Sequence, residues 1–154
     1  MNYKPVRIYT SAFLNEVVDM VKAGIDNNVK INLDFDKLPK MITSDMDLLY
    51  QILENLLSNA VKYSKDGGNV YFKVRHENDT LFLQIKDEGI GINEAEQSQL
   101  FDRFFRAKNV GLREGSGLGL SIVKKCIEVI GGKIDFKSKV NKGTEFFLEI
   151  PAKK

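Results

Sequence analysis

One cysteine and one histidine leave no material for an internal disulfide framework, or for a zinc site built from those residue types. The lone cysteine sits comfortably with a reducing compartment. No apolar run approaches the roughly 20 residues of a membrane span, and no signal-peptide pattern leads the chain. Neither charge sign dominates, and a net charge of +2 is too small to argue for nucleic acid or an anionic membrane. Internal repeats and low-complexity tracts are missing too. What is present, 43% apolar and 29% charged residues over a length of 154, is the balance of a soluble globular protein with one domain and one sizeable core.

The apolar residues fall into helical and strand periods. Val6-Arg7-Ile8-Tyr9 reads as a short strand, with Thr10 or Ser11 available to cap a helix over about 11–26. Leu14, Val17, Val18 and Val21 share one face of that helix. Lys30 to Phe35 alternates as a strand, and after Pro39 a short extended segment around Met41-Ile42 leads to the best-marked helix. There Ser44 and Asp47 form a Ser-x-x-Asp cap, and Leu49, Ile52, Leu53, Leu56 and Ala60 form the apolar stripe. Asp66-Gly67-Gly68-Asn69 turns into a hairpin, Val70 to Arg75 and Leu81 to Lys86, with Glu77-Asn78-Asp79 at its tip and His76 a surface residue beside it. Residues 94–113 lack a sustained period, a long loop of the kind that has a function or is disordered. The last helix carries Ile122, Val123, Cys126, Ile127 and Ile130 inward and stops at Gly131-Gly132. Strands Lys133 to Lys137 and Glu145 to Ile150 complete the order. The pattern predicts an α+β two-layer sandwich, with three helices on one face of a mixed sheet of about five strands.

Four features carry chemistry. Asn55 and Asn59 lie four apart in an otherwise apolar helix, where asparagine is unfavourable unless it hydrogen-bonds or holds a ligand. An amide oxygen is a hard donor that suits Mg²⁺, Lys62 can neutralise phosphate, and Tyr63 offers an aromatic face. Either asparagine alone reads as a solvated helix face; the four residues together favour a ligand. Asp87 ends a strand and runs into Gly89-Ile90-Gly91-Ile92. Its carboxylate can accept from an exocyclic amine or bond its own turn backbone, and the glycine pair lets a backbone approach a ligand that a Cβ would hold off. Gly115-Ser116-Gly117-Leu118-Gly119 opens a helix, where free amides and the dipole favour an anion; a plain flexible loop end is the alternative. A Walker loop is absent, and Glu94 stands where a Rossmann fingerprint needs its third glycine. Arg103, Arg106, Lys108 and Arg113 either gather at a triphosphate or are solvated. Phe101, Phe104 and Phe105 read as core or lid packing, and Cys126 as inert core.

Taken in order, these motifs resemble the catalytic ATP-binding domain of sensor histidine kinases, in the GHKL superfamily with gyrase, heat-shock chaperone and mismatch-repair ATPases. Asn55 to Ser64 resembles the Asn box, and Asp87-x-Gly89-x-Gly91 the first glycine box. Leu100 to Arg106 resembles the Phe box, Gly115-x-Gly117-x-Gly119 the second glycine box, and Gly143-Thr144 the terminal Gly-Thr motif. The resemblance covers essentially the whole chain and implies a Bergerat-type fold, ATP and Mg²⁺ as ligands, and an ATP lid over about 94–116. It implies that Asp87, with Gly89, Gly91 and Ile92 beside it, reads the adenine amine. Asn59 ligates Mg²⁺, and Lys62 and Arg106 hold phosphates with Gly115, Ser116, Gly117, Leu118 and Gly119. Tyr63 stacks near the base, Thr144 supports the hydrogen bonds there, and Asn55, Asn59, Lys62 and Arg106 form the catalytic set. Hydrolysing members of the superfamily carry a glutamate four residues before the Mg²⁺-binding asparagine. Here that position is Asn55, which cannot act as a general base, and Glu54 points about 100° away around the helix. Transfer to an outside acceptor is therefore favoured over hydrolysis.

The phosphoacceptor histidine that such kinases carry on a dimerisation helix bundle is not in this sequence. The expectation is one catalytic domain over 1–154, soluble, cytoplasmic and monomeric, from a parent that is free to be membrane-anchored. The implied partners are the dimerisation and phosphoacceptor domain and a response regulator, with no nucleic acid. The alternatives are a nucleotide-sensing module without transfer activity and a GHKL Ser/Thr protein kinase.

Overall fold

The computed structural model describes residues 1–25, 27–102 and 119–154. Strand β1 (Val6–Tyr9) leads into α1 (Thr10–Ala23), then β2 (Lys30–Asp36), β3 (Met41–Ser44) and α2 (Met46–Tyr63). The hairpin β4 (Asn69–Glu77) and β5 (Thr80–Asp87) is followed by a short 3-10 helix (Glu94–Gln99), α3 (Gly119–Ile130), β6 (Lys133–Lys139) and β7 (Gly143–Pro151). The main sheet has the order β2-β4-β5-β7-β6, with β2 parallel to β4 and the other pairs antiparallel. The parallel pair needs a long crossover, and β3 with α2 supplies it. A separate antiparallel pair, β1 with β3, lies outside this sheet. The predicted sandwich is therefore the observed one, with the small second sheet as an addition.

Alternation decides which face is covered. Val70, Phe72 and Val74 of β4, Leu81, Leu83 and Ile85 of β5, and Phe146, Leu148 and Ile150 of β7 are buried, whereas Lys73, Arg75, Lys86 and Glu149 between them are exposed. Helix α2 touches β4 and β5 as well as both other helices. Its residues Leu49, Ile52, Leu53, Leu56 and Leu57 are almost completely buried, wider than a single stripe because sheet and helices enclose it. At the β4–β5 turn Asn78 and Asp79 have φ of 52° and 55°, the two left-handed residues that a tight hairpin of this twist demands.

Several sequence expectations shift. The cap of α2 is Asp45, whose Oδ1 accepts the Leu48 N–H at 3.0 Å. Ser44 cannot serve, because β3 stays paired with β1 through the Val6–Ser44 register and the chain turns only at Asp45. Asp45 Oδ2 also accepts the Lys4 N–H at 2.8 Å, tying down the segment before β1. Thr10 is already helical and its Oγ1 has no hydrogen-bond partner among the described residues, and α1 starts without a side-chain cap. His76 is half-buried rather than a free surface residue, its Nε2 lying 2.7 Å from the Ala152 carbonyl. Cys126 is fully buried, and desolvation together with the Asp45 charge pushes its thiol up, as expected of inert core.

Candidate functional site

Strand β5 places Leu81, Leu83, Ile85 and Asp87 on the same inward face, so its last inward position carries a carboxylate. Asp87 is 8% exposed. Its Oδ1 accepts N–H groups from Gly89 at 2.9 Å and from Thr144, on β7, at 3.2 Å. Its Oδ2 makes no hydrogen bond among the described residues. Burial pushes the carboxyl from 3.8 up to about 6, against the lowering effect of those two N–H groups. The arrangement fixes a carboxylate by one oxygen and offers the other as an acceptor, which suits a ligand edge that donates.

The flanking glycines work differently from the expectation. A Cβ at Gly89 would collide with the Tyr63 carbonyl, one at Gly91 with the Lys139 carbonyl, and one at Gly143 with the Asp87 carbonyl. Gly91 and Gly143 also have φ of +70° and +116°. The room they create is filled by the chain's own backbone, which draws the end of α2, the loop after β5 and the β6–β7 hairpin together. The Ile90 N–H donates to the Tyr63 carbonyl at 3.3 Å, and the Asn141 N–H to the Ile90 carbonyl at 2.8 Å.

Sequence reasoning missed two residues that complete this junction. Ser138 follows Ile134 and Phe136 along the inward face of β6. Its hydroxyl lies 2.8 Å from Thr144 Oγ1, accepts the Ile92 N–H at 2.8 Å and reaches the Gly143 carbonyl at 3.1 Å. Gln97, on the 3-10 helix, donates through Nε2 to the carbonyls of Ile92 at 3.1 Å and Ser138 at 3.0 Å. The available signal was Ser138 itself, a polar residue at an inward strand position. Next along the chain, the Phe101 ring meets Phe136 edge-on at 6.0 Å, the packing role expected of it.

The second cluster lies on α2. Asn55 and Asn59 are half-buried, and Asn55 Nδ2 donates to the Gln51 carbonyl at 2.7 Å. The start of α3 comes against them: a Cβ at Gly119 would lie 2.9 Å from Asn55 Oδ1 and 3.8 Å from Asn59 Nδ2. The last glycine of the second motif is thus brought to the asparagine pair. Lys62 is exposed, with its ammonium 5.8 Å from the centre of the half-buried Tyr63 ring. Glu54 faces elsewhere, accepting the Ser58 hydroxyl at 2.9 Å. Arg103, Phe104, Phe105, Arg106, Lys108, Arg113, Gly115, Ser116, Gly117 and Leu118 lie outside the described residues, as does the lid beyond Asp102. A concavity of about 970 Å³ elsewhere, lined by Asp34, Lys73, Arg75, Phe82 and Glu149, contains none of the candidate residues.

A buried carboxylate followed by two glycines, joined through the end of one helix to an asparagine pair that meets a third glycine, is a constellation that can be compared. Residues 44–154 match the family described as histidine kinase-, DNA gyrase B-, and HSP90-like ATPase. The chain belongs to this ATPase family. Within it, the chain is similar to the sensor histidine kinase WalK of Bacillus subtilis (strain 168), 34% identical over 145 residues that make up 92% of this chain and 24% of WalK. It spans about a quarter of that relative's length. Among solved structures, the mycobacterial sensor histidine kinase MprB superposes with a TM-score of 0.82 at 25% identity, covering 97% of this chain and 99% of MprB. Full-length ShkA, in complex with AMPPNP, shares the fold with a TM-score of 0.83 at 24% identity, over 100% of this chain and 32% of ShkA. The family resemblance and the α+β sandwich expected of it are thereby established. No described helix is long and apolar enough to cross a membrane.

Proposed function

We propose that this chain binds Mg²⁺-ATP and donates the γ-phosphoryl group to a histidine on a separate dimerisation and phosphoacceptor domain, in a two-component pathway that continues to a response regulator. The observation that carries this reading is the family match together with similarity to sensor histidine kinases over nearly the whole chain. The AMPPNP held by ShkA supports an adenine nucleotide as ligand. Asp87 takes the adenine amine through Oδ2, and Thr144 supports it. Gly89, Gly91 and Ile92 shape the loop beneath the base, and Tyr63 flanks it.

The donor set fits Mg²⁺, which keeps several waters and takes one or two protein oxygens beside phosphates. Asn59 would supply the amide oxygen, and the ion would neutralise charge on the transferring phosphoryl group. Lys62, Arg106 and residues Gly115 to Gly119 hold phosphates. Asn55 positions the cluster, since its Nδ2 is bonded to Gln51 and its Oδ1 faces Gly119. An amide takes up no proton from water at neutral pH, and Glu54 is turned toward Ser58. Transfer to an outside nucleophile by positioning and charge neutralisation is the chemistry left to such a set.

The test mixes the chain with a cognate helical-bundle domain, Mg²⁺ and γ-labelled ATP. Acid-labile, base-stable label on the bundle histidine is the expected result. Label stable to acid on serine or threonine would replace this reading with a Ser/Thr kinase, and nucleotide binding without any label would leave a sensing module.

A further inference from the structure

We propose that Ser138 determines base specificity by taking the hydroxyl proton of Thr144, which leaves the Asp87 carboxylate and the Thr144 hydroxyl oxygen both as acceptors. This rests on the reading of Asp87 and Thr144 as that base end. A serine hydroxyl has one proton to donate and two lone pairs to accept with. Ser138 Oγ has three partners: the Ile92 N–H at 2.8 Å, the Gly143 carbonyl at 3.1 Å and Thr144 Oγ1 at 2.8 Å. The first can only donate and the second can only accept. Ser138 therefore spends its proton on Gly143 and one lone pair on Ile92. All three bonds coexist in one arrangement only, in which Thr144 donates to Ser138.

The consequence falls on Thr144, whose N–H already grips Asp87 Oδ1. With its hydroxyl proton turned toward Ser138, its oxygen has only lone pairs left to offer a further partner. A purine with an amino group at C6 donates to such an edge. A 6-oxo purine presents an oxygen at C6, to which neither the Asp87 carboxylate nor the Thr144 oxygen can donate. Buried groups made to pair with a donor reject an analogue that lacks it strongly, because they are left unpaired. Removing the Ser138 hydroxyl frees the Thr144 proton to turn and donate to a 6-oxo group. Ser138 acts through Thr144 and is a positioning residue.

The experiment measures ADP and IDP dissociation constants with Mg²⁺ at pH 8, by competition against a fluorescent nucleotide, on the whole chain. Ser138→Ala should lower the ratio of the IDP to the ADP constant about fivefold, the worth of one hydrogen bond. Ser138→Thr, which keeps the hydroxyl, should retain the original ratio. In a Thr144→Val background, Ser138→Ala should no longer move the ratio. If Ser138→Ala does not fold, Ser138→Cys, with a thiol that is a weak partner, is read the same way. Equal weakening of both nucleotides would overturn the proposal and make Ser138 merely structural. Failure of the unaltered chain to bind ADP would instead overturn the nucleotide reading beneath it.

Discussion

The two ends of the site are built in opposite ways. At the base end, a buried carboxylate is held by backbone N–H groups from two strands, and Gly89, Gly91 and Gly143 allow carbonyls of neighbouring segments to close in. At the helix end, Asn55 and Asn59 stand on one face of α2, and side-chain amides meet the first residue of α3. The first end is specified by backbone conformation and tolerates no added atom. The second is specified by side chains that rotate. The base recognition we propose would thus rest on the sheet, while the asparagine pair proposed for the metal stands against the first residue of α3.

The contrast makes backbone changes at the base end the most damaging. Gly143→Ala puts a Cβ against the Asp87 carbonyl at φ +116°, combining backbone strain with overpacking. It should cost about 3 kcal/mol or more in urea unfolding. A loss below about 1 kcal/mol would mean that the hairpin relaxes and that the base end is not rigid. Asp87→Asn should weaken ADP binding by about 10- to 100-fold, the range for a hydrogen bond to a charged acceptor; unchanged affinity by calorimetry would remove Asp87 from the base.

The same carboxylate predicts two opposite pH dependences. With its carboxyl raised from 3.8 to about 6, the folded protein holds a proton that the unfolded chain releases between those values. Stability contributed by this group therefore falls as pH rises from about 4 to 6, by about 3 kcal/mol in total. Asp87→Asn should accordingly raise the urea midpoint at pH 7.5, with the advantage shrinking toward pH 5. Nucleotide affinity should move the other way, weakening below pH 6 as Oδ2 loses its charge. A midpoint difference that does not vary with pH would show that the carboxylate carries no burial penalty.

Much of this was legible, and the illegible parts share a cause. Helix α2 and the β4–β5 hairpin follow from local period, and Asp87 follows from continuing the alternation of Leu81, Leu83 and Ile85. Spacing also placed Asn55 and Asn59 on one line. The cap at Asp45 was not legible, because what excludes Ser44 is pairing with Val6 far back in the chain. The sequence marks Gly89 and Gly91 as positions where a backbone can approach a ligand, but what comes close is the carbonyl of Tyr63 or Lys139 from another element, and nothing local marks the approach of Gly143 to Asp87. Ser138 was passed over because a strand's period reveals two faces without saying which one carries the site. Local pattern reveals elements and odd residues; the partner that explains an odd residue comes from tertiary pairing.

Smaller effects are expected where side chains can give way. Gly119→Ala brings a Cβ to 2.9 Å from Asn55 Oδ1, an atom that can swing aside, so stability should change by no more than about 1 kcal/mol. Moving Asn55 should still weaken Mg²⁺-nucleotide binding about fivefold, at the scale of one hydrogen bond. A stability loss as large as that of Gly143→Ala would erase the contrast between the two ends.

The smallest effect tests the chemistry. Glu54 neighbours Asn55 in sequence, but it accepts the Ser58 hydroxyl at 2.9 Å and lies around the helix from the asparagine line. Glu54→Gln keeps a side-chain oxygen able to accept that bond, so stability should shift by less than about 0.5 kcal/mol. Label transfer to a phosphoacceptor domain and any release of free phosphate should both stay within about twofold, because the proposed transfer passes no proton through this carboxylate. A collapse of phosphate release in Glu54→Gln would make Glu54 a base for water. The helix end would then be a hydrolytic centre, and the assignment of transfer to an outside histidine would fail with it.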